Sequence, residues 1–227
     1  MTWILLIIAI ILPLVAQFKV KNTFNKYLKV AAGKGLTGAD VARQILRNEG
    51  LYDVSVEMAQ GYLSDHYDPR HRAVRLSPEV FQGRSLAALG VAAHEVGHAI
   101  QHADSYGPLE IRSTLAPVAS FSSMAAFPLI LAGMFLSQMG LGVLFTVGIY
   151  LFTAVVFFQL VTLPVEFNAS SRAIAALEGG GFLTSGEVGP TKKVLSAAAF
   201  TYVAAAIVGI LELVRLILIS RLMGGDD

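Results

Sequence analysis

Apolar residues run without a charge from Trp3 to Phe18, from Ala116 to Leu136 and from Leu141 to Leu163, and a fourth run from about Ala197 to Ile219 carries only Glu212 and Arg215. A bilayer core of about 30 Å takes roughly 17–25 helical residues. The three later runs meet that length. The first is slightly short, and Thr2 or Val20 extends it. Its start holds no Lys or Arg, and Val15-Ala16-Gln17-Phe18 is a poor small-x-small cleavage site, so it reads as an uncleaved anchor rather than a signal peptide. Pro13 is expected to kink it. Ser137, Gln138, Met139 and Gly140 join the second and third runs into a tight hairpin. Glu212 and Arg215, three apart, share a helical face. They read as a mutually neutralising pair with Arg215 snorkelling toward the interface, the alternative being a functional charge inside the membrane.

The polar stretches between these runs carry shorter signals. Thr37-Gly38-Ala39-Asp40 followed by Val41, Ile45 and Leu46 predicts a capped amphipathic helix ending near Gly50. Val54 to Met58 alternates like a strand. Asp65 to Arg72 is polar and turn-rich, and Ala73-Val74-Arg75-Leu76 is a second short strand. Ser77-Pro78 opens a helical stretch, and a longer helix covers roughly Ser85 to Asp104. Val165 to Leu177 reads as a helix closed by Gly179-Gly180-Gly181, and Pro190 marks the start of the last helix. The organisation is thus a transmembrane helix over residues 1–18, a polar segment over 19–112, a hairpin over 113–164, a polar segment over 165–197, a last transmembrane helix over 198–222 and a tail over 223–227. The two polar segments are interrupted only by the hairpin and are long enough together for one compact domain.

Composition narrows the class. Of 227 residues, 55% are hydrophobic and 15% charged, against about 25% charged in a soluble domain. Seventeen Lys and Arg against sixteen Asp and Glu give +1, so no global charge calls for nucleic acid. The absence of cysteine excludes disulfides, thiolate metal sites and a cysteine nucleophile. Twelve Lys or Arg fall in residues 19–112, three in 165–197 and none in the hairpin loop. The positive-inside rule then puts both polar segments in the cytoplasm and both termini outside. Lys19, Lys21, Lys26 and Lys29 need no role beyond setting topology and touching anionic headgroups. Gly133, Gly142 and Gly148 permit close helix contacts without specifying a partner.

The chemistry lies in Ala93-His94-Glu95-Val96-Gly97-His98-Ala99-Ile100-Gln101-His102. His94 and His98 are four apart, about 40° around one helix face, so two imidazoles can meet one ion. Zinc suits imidazole at a low coordination number. Glu95 points away by about 100° and serves the attacking water, taking its proton and returning it to the leaving amine. The apolar surroundings keep other charges away, and Gly97 lets another element approach. His102 extends the stripe and reads as a helix-end or supporting residue rather than a ligand.

A catalytic zinc site needs a third protein ligand. No histidine follows His98 at metzincin spacing, and His66 and His71 lie upstream. Glu166, in Leu163-Pro164-Val165-Glu166-Phe167-Asn168-Ala169-Ser170, is expected in the first turn of a helix emerging from the third span. The returning hairpin brings it back beside His98.

Ser64-Asp65-His66-Tyr67-Asp68-Pro69, Arg75-Leu76-Ser77, the segment Ala92 to Gln101 and Pro164 to Ser170 resemble the YugP-type neutral zinc metallopeptidases of bacterial membranes. The resemblance covers nearly the whole chain, spans included, and is similar more distantly to HtpX-type membrane proteases. It implies a mainly α polytopic membrane protein with four transmembrane helices and a small cytosolic zincin-like α+β catalytic domain. It implies a gluzincin-like arrangement with His94, His98 and Glu166 as ligands of one Zn2+ per chain and Glu95 as general base and acid. One departure stands out: where HtpX-like and thermolysin-like enzymes have an Asp four residues after the ligand Glu, this chain has Ser170. Support for a ligand histidine must come from Ser170, Asn168 or elsewhere. His66, Tyr67 and Arg172 are candidate oxyanion donors. Val74-Arg75-Leu76 is a candidate edge strand for an extended peptide substrate.

The expected function is an integral endopeptidase of the bacterial inner membrane. Its site faces the cytoplasm, and its substrates are membrane proteins or membrane-associated peptides. Lipids are the expected surroundings; a homo-oligomer or a regulatory membrane partner is left open. An intramembrane protease is disfavoured because Arg84 and Asp104 flank a helix too short to span. The remaining alternative is a non-enzymatic metal-binding scaffold or adaptor, which would have no use for Glu95.

Overall fold

The computed structural model describes residues 2–223; the expected tail from Gly224 to Asp227 lies outside the described residues. The chain is mainly helical. In order it forms α1 (Thr2–Leu28), α2 (Gly38–Asn48), β1 (Ser55–Met58), β2 (His66–Asp68), β3 (Ala73–Leu76), α3 (Pro78–Phe81), α4 (Leu86–Ala103), α5 (Gly107–Phe135), a 3-10 turn (Ser137–Met139), α6 (Val143–Gly179) and α7 (Ser185–Met223). Among the described residues, four helices are long and apolar enough to cross a membrane: Leu6–Leu28, Gly107–Phe135, Val143–Gly179 and Ser185–Leu222.

Two compact units emerge. The first gathers the described residues of 1–16, 110–163 and 201–227. Its core is Ala126, Ile130, Phe145, Phe152, Val156 and Leu216. At Gly133 and Gly148 the absence of a side chain admits the Phe145 backbone and the Ile130 side chain respectively, the close approach that small residues allow between apolar helices. The hairpin closes through Gly140 at φ 79°, a left-handed conformation that glycine adopts without a Cβ clash. Its outer faces are apolar, with Phe121, Met124, Phe135 and Tyr150 exposed, as lipid-facing positions require. Arg215 Nε donates to Glu212 Oε2 at 2.8 Å, so the expected charge pair forms.

The second unit gathers residues 17–109 and 164–200. α2 begins in a capping box: Asp40 N donates to Thr37 Oγ1 and Thr37 N to Asp40 Oδ2, each at 3.1 Å, which satisfies two otherwise orphaned donors. Its buried face, Val41, Ala42, Ile45 and Leu46, joins Val74, Leu76, Leu86, Leu89, Ala93 and Val96 in the core. α4 starts on Ser85, whose Oγ accepts from Ala88 N at 3.2 Å. The sheet has the order β1-β3-β2, with β1 parallel and β2 antiparallel to β3.

Three expectations are corrected. Val74, Arg75 and Leu76 are not an edge strand: β3 is central, paired on both sides, and the free edges belong to β1 and β2. The segment from Asp65 to Arg72 is not all turn, since His66–Asp68 pairs with Arg75, Val74 and Ala73. Glu166 is not in a first turn, because α6 runs unbroken through Pro164. Proline removes one helical hydrogen bond. Val165, Ala169, Ala173 and Leu177, spaced by four and all buried, supply a continuous apolar stripe whose packing outweighs that loss. In the same way α1 continues past Phe18 to Leu28, through Phe24 and Tyr27, which are buried in the core.

Candidate metal centre

His94 and His98 lie on the face of α4 that meets α6. The contact is close because Gly97 has no side chain: a Cβ there would lie 2.6 Å from Ala169 O. Glu166, three residues before Ala169 on α6, reaches both rings. Its Oε2 lies 3.3 Å from His94 Nε2 and 3.7 Å from His98 Nε2. The rings are 4.8 Å apart and nearly perpendicular, at 81°. One donor atom from each of the three residues falls within 4.8 Å of the others, and among the described residues they are the His, Asp and Glu group that could hold a metal ion. Glu166 is 2% exposed, His98 8% and Glu95 8%.

The far nitrogens of both rings are held. His94 Nδ1 lies 3.2 Å from Ser170 Oγ and His98 Nδ1 3.0 Å from Gln101 Oε1. Each contact turns a ring so that Nε2 faces Glu166, and an acceptor on Nδ1–H leaves Nε2 as a free lone pair. Glu166 and Ser170, one helical turn apart, thus address the two nitrogens of His94 from the same helix. Ser170 stands four residues after Glu166, and its hydroxyl reaches the ring. Gln101 is fully buried. Its Nε2 donates to Val165 O and to Asn168 Oδ1, both at 2.9 Å, so a single amide ties His98 to the backbone beside Glu166. Sequence reasoning missed Gln101. The available signal was its position three residues after His98, one turn along the same face.

The donor set therefore fits zinc: two imidazoles oriented from behind and one buried carboxylate. Burial opposes a charged His98, but hydrogen bonding to Glu166, the negative charge of Glu95 and Gln101 outweigh it, and its proton affinity is raised. Burial likewise pushes the Asp65 carboxyl up; Ser77, which donates to it through N at 2.8 Å and through Oγ, works against that, and the charge of Glu95 adds to it.

The remaining candidates are placed as follows. His66 Nδ1 contacts Ser64 O at 2.8 Å on the surface. Tyr67 OH contacts His102 Nδ1 at 2.8 Å, and both lie outside the three-residue group. Asn168 accepts from Gln101 and, at 2.8 Å, from Arg172 Nε. Arg172 also pairs with Asp104 at 2.5 Å, so its guanidinium is engaged on two sides. His71 pairs with Asp68 at 2.7 Å. Arg75 bridges Glu57 at 3.1 Å and Asp68 at 2.6 Å. Val74 and Leu76 are fully buried.

The family described as "Putative neutral zinc metallopeptidase" matches residues 2–221. The chain is 55% identical over 212 residues to the "Putative membrane protease YugP" of Bacillus subtilis (strain 168), a match that covers 93% of this chain and 92% of that protein. No solved structure matches.

Proposed function

The chain belongs to the neutral zinc metallopeptidase family, and from that premise we propose that it is a membrane endopeptidase of gluzincin type, binding one zinc per chain through His94, His98 and Glu166. The observation that carries this reading is the convergence of three donor atoms within 4.8 Å, with both histidines gripped at their far nitrogens. The α4 helix packed with a three-stranded sheet is what supports a zincin-like description of the second unit.

When bound, zinc supplies Lewis acidity toward a peptide carbonyl and makes water near it more acidic. The chain supplies the rest. Glu95, next in sequence to His94 and buried, takes a proton from the attacking water and delivers it to the leaving amine. Val91, Ala92, Ala93, Val96 and Ala99 exclude competing polar groups. Water attacks directly, so no acyl-enzyme forms. With β3 enclosed, an extended peptide finds unpaired backbone only along β1 or β2. The substrates are membrane proteins or membrane-associated peptides, because four spanning helices keep the enzyme in the lipid. The protein sits in the bacterial inner membrane with its site toward the cytoplasm and both termini outside.

The test is the purified full-length protein with Glu95→Gln beside the natural chain. Zinc, measured by elemental analysis, is expected near one per chain in both. Cleavage of a fluorogenic peptide library in detergent is expected to fall by about 10²–10⁴-fold in the variant. Unchanged cleavage removes the assigned base. Absence of stoichiometric zinc removes the metal site. Full zinc with no cleavage by the natural chain on any substrate favours the scaffold reading instead.

A further inference from the structure

Away from the metal centre, α1 and α7 line an open cavity whose walls are part polar and part apolar. Lys19, Thr23 and Lys26 line it from α1, and Lys192, Lys193 and Ser196 from α7; its volume is about 410 Å³. The positions are not scattered. Residues 19, 23 and 26 follow the four-and-three spacing of one helix face, and on α7 the adjacent residues 192 and 193 lie four and three positions before 196. Four lysines and two hydroxyl-bearing residues therefore line one space.

Among the described residues no carboxylate neutralises the four lysines. Two rest on aromatic rings instead: Lys19 Nζ lies 4.6 Å from the centre of the Phe200 ring and Lys26 Nζ 5.5 Å from that of Tyr27. A ring steadies an ammonium without cancelling its charge. Gathering four like charges around a cavity is unfavourable by itself, and a bound anion reverses the sign.

The place of the cavity along the helices indicates the anion. Lys19 follows the end of the apolar run at Phe18, and Lys192 and Lys193 come just before the run that begins at Ala197. Lys19, Lys192 and Lys193 therefore stand where a spanning helix meets the headgroup layer, and basic pockets between helices at that depth suit lipid phosphates. We propose that this cavity is a binding site for a phosphate-bearing anion, namely the headgroup of an anionic phospholipid, held by Lys19, Lys26, Lys192 and Lys193 with Thr23 and Ser196 donating hydrogen bonds. The site is independent of the peptidase reading.

Full-length protein in neutral detergent is titrated with phosphatidylglycerol, phosphatidylcholine or inorganic phosphate, and bound ligand is counted by native mass spectrometry. One phosphatidylglycerol is expected to bind in preference to phosphatidylcholine. Lys192→Gln with Lys193→Gln should weaken it roughly 10- to 30-fold. Lys21→Gln with Lys29→Gln removes the same charge from exposed lysines that do not line the cavity, and should change it less than about 2-fold. Lys192→Arg with Lys193→Arg keeps the charge and should retain binding; melting temperatures of all variants check the fold. Displacement of the lipid by inorganic phosphate at equal concentration keeps the phosphate site but assigns it to a soluble ligand. Equal losses in the two Gln pairs would reduce the effect to diffuse electrostatics and overturn the proposal. So would equal binding of the two lipids without any phosphate competition.

Discussion

The His98 imidazole uses its two nitrogens for different ends: Nε2 faces Glu166 at 3.7 Å and Nδ1 faces the Gln101 amide at 3.0 Å. Metal binding needs the neutral ring. Before metal enters, Glu166 and Glu95 raise the proton affinity of His98 despite its burial, so the proton is a competitor for the same nitrogen. Because the shift is upward, zinc affinity is at its full value above the raised His98 pKa. It falls as pH drops through that point, which lies above the ordinary 6.5, by about tenfold per pH unit for one displaced proton. Zinc titrations across pH 5 to 9 check the direction, and an affinity constant down to pH 5 would contradict it. Gln101→Met preserves volume but leaves His98 Nδ1, Val165 O and Asn168 Oδ1 without this partner. Zinc affinity is expected to drop about 10- to 100-fold, the usual effect of removing such a support. His94 and His98 are legible in the sequence because helical periodicity alone brings them together. Gln101 is not, because a neutral amide carries no motif and two of its partners lie 64 and 67 residues away.

Between α4 and α6 the decisive residue is Gly97. Replacing it by Ala gains up to about 1 kcal/mol of helix propensity. The new Cβ would lie 2.6 Å from Ala169 O, which is backbone and cannot swing aside, and forcing a packed core apart costs about 1–3 kcal/mol. The second effect wins. Gly97→Ala is expected to lower the melting temperature of the detergent-solubilised protein and to weaken zinc binding as well, since Glu166 and Ser170 ride on the displaced helix. A variant that melts higher and binds zinc normally would show that α6 does not fix the site. The same pair of helices marks how far pattern reading reaches at this scale. The helix from Ser85 to Asp104 could be read, and the hairpin topology indicates that Glu166 returns to the histidines. The continuity of α6 through Pro164 could not be read, because local proline chemistry argues for a break and only tertiary burial of Val165, Ala169 and Ala173 overrides it. The strand at His66–Asp68 and the order of the three short strands were equally hidden: alternation marks a segment as a strand but names neither its partners nor which strand ends in the middle.

Across the whole molecule, topology decides what the metal centre can meet. Fifteen of the seventeen basic residues lie in the two polar segments, twelve in 19–112 and three in 165–197, and the hairpin loop has none. Lys19, Lys21, Lys26, Lys29 and Lys34 follow the first apolar run closely, within the short distance over which basic residues set orientation. The chain has no cysteine, so a single introduced thiol reports its own position without background. Gln138 in the hairpin loop and Asn48 at the end of α2 are both exposed and uncharged, and replacing either leaves the charge balance that sets topology intact. In intact cells a membrane-impermeant maleimide is expected to label Gln138→Cys and to spare Asn48→Cys until the membrane is permeabilised. Labelling of Asn48→Cys from outside would turn the second unit toward the exterior and remove the case for cytoplasmic substrates. The zinc ligands would be untouched by that result, because His94, His98 and Glu166 belong to one compact unit whichever side of the membrane it faces.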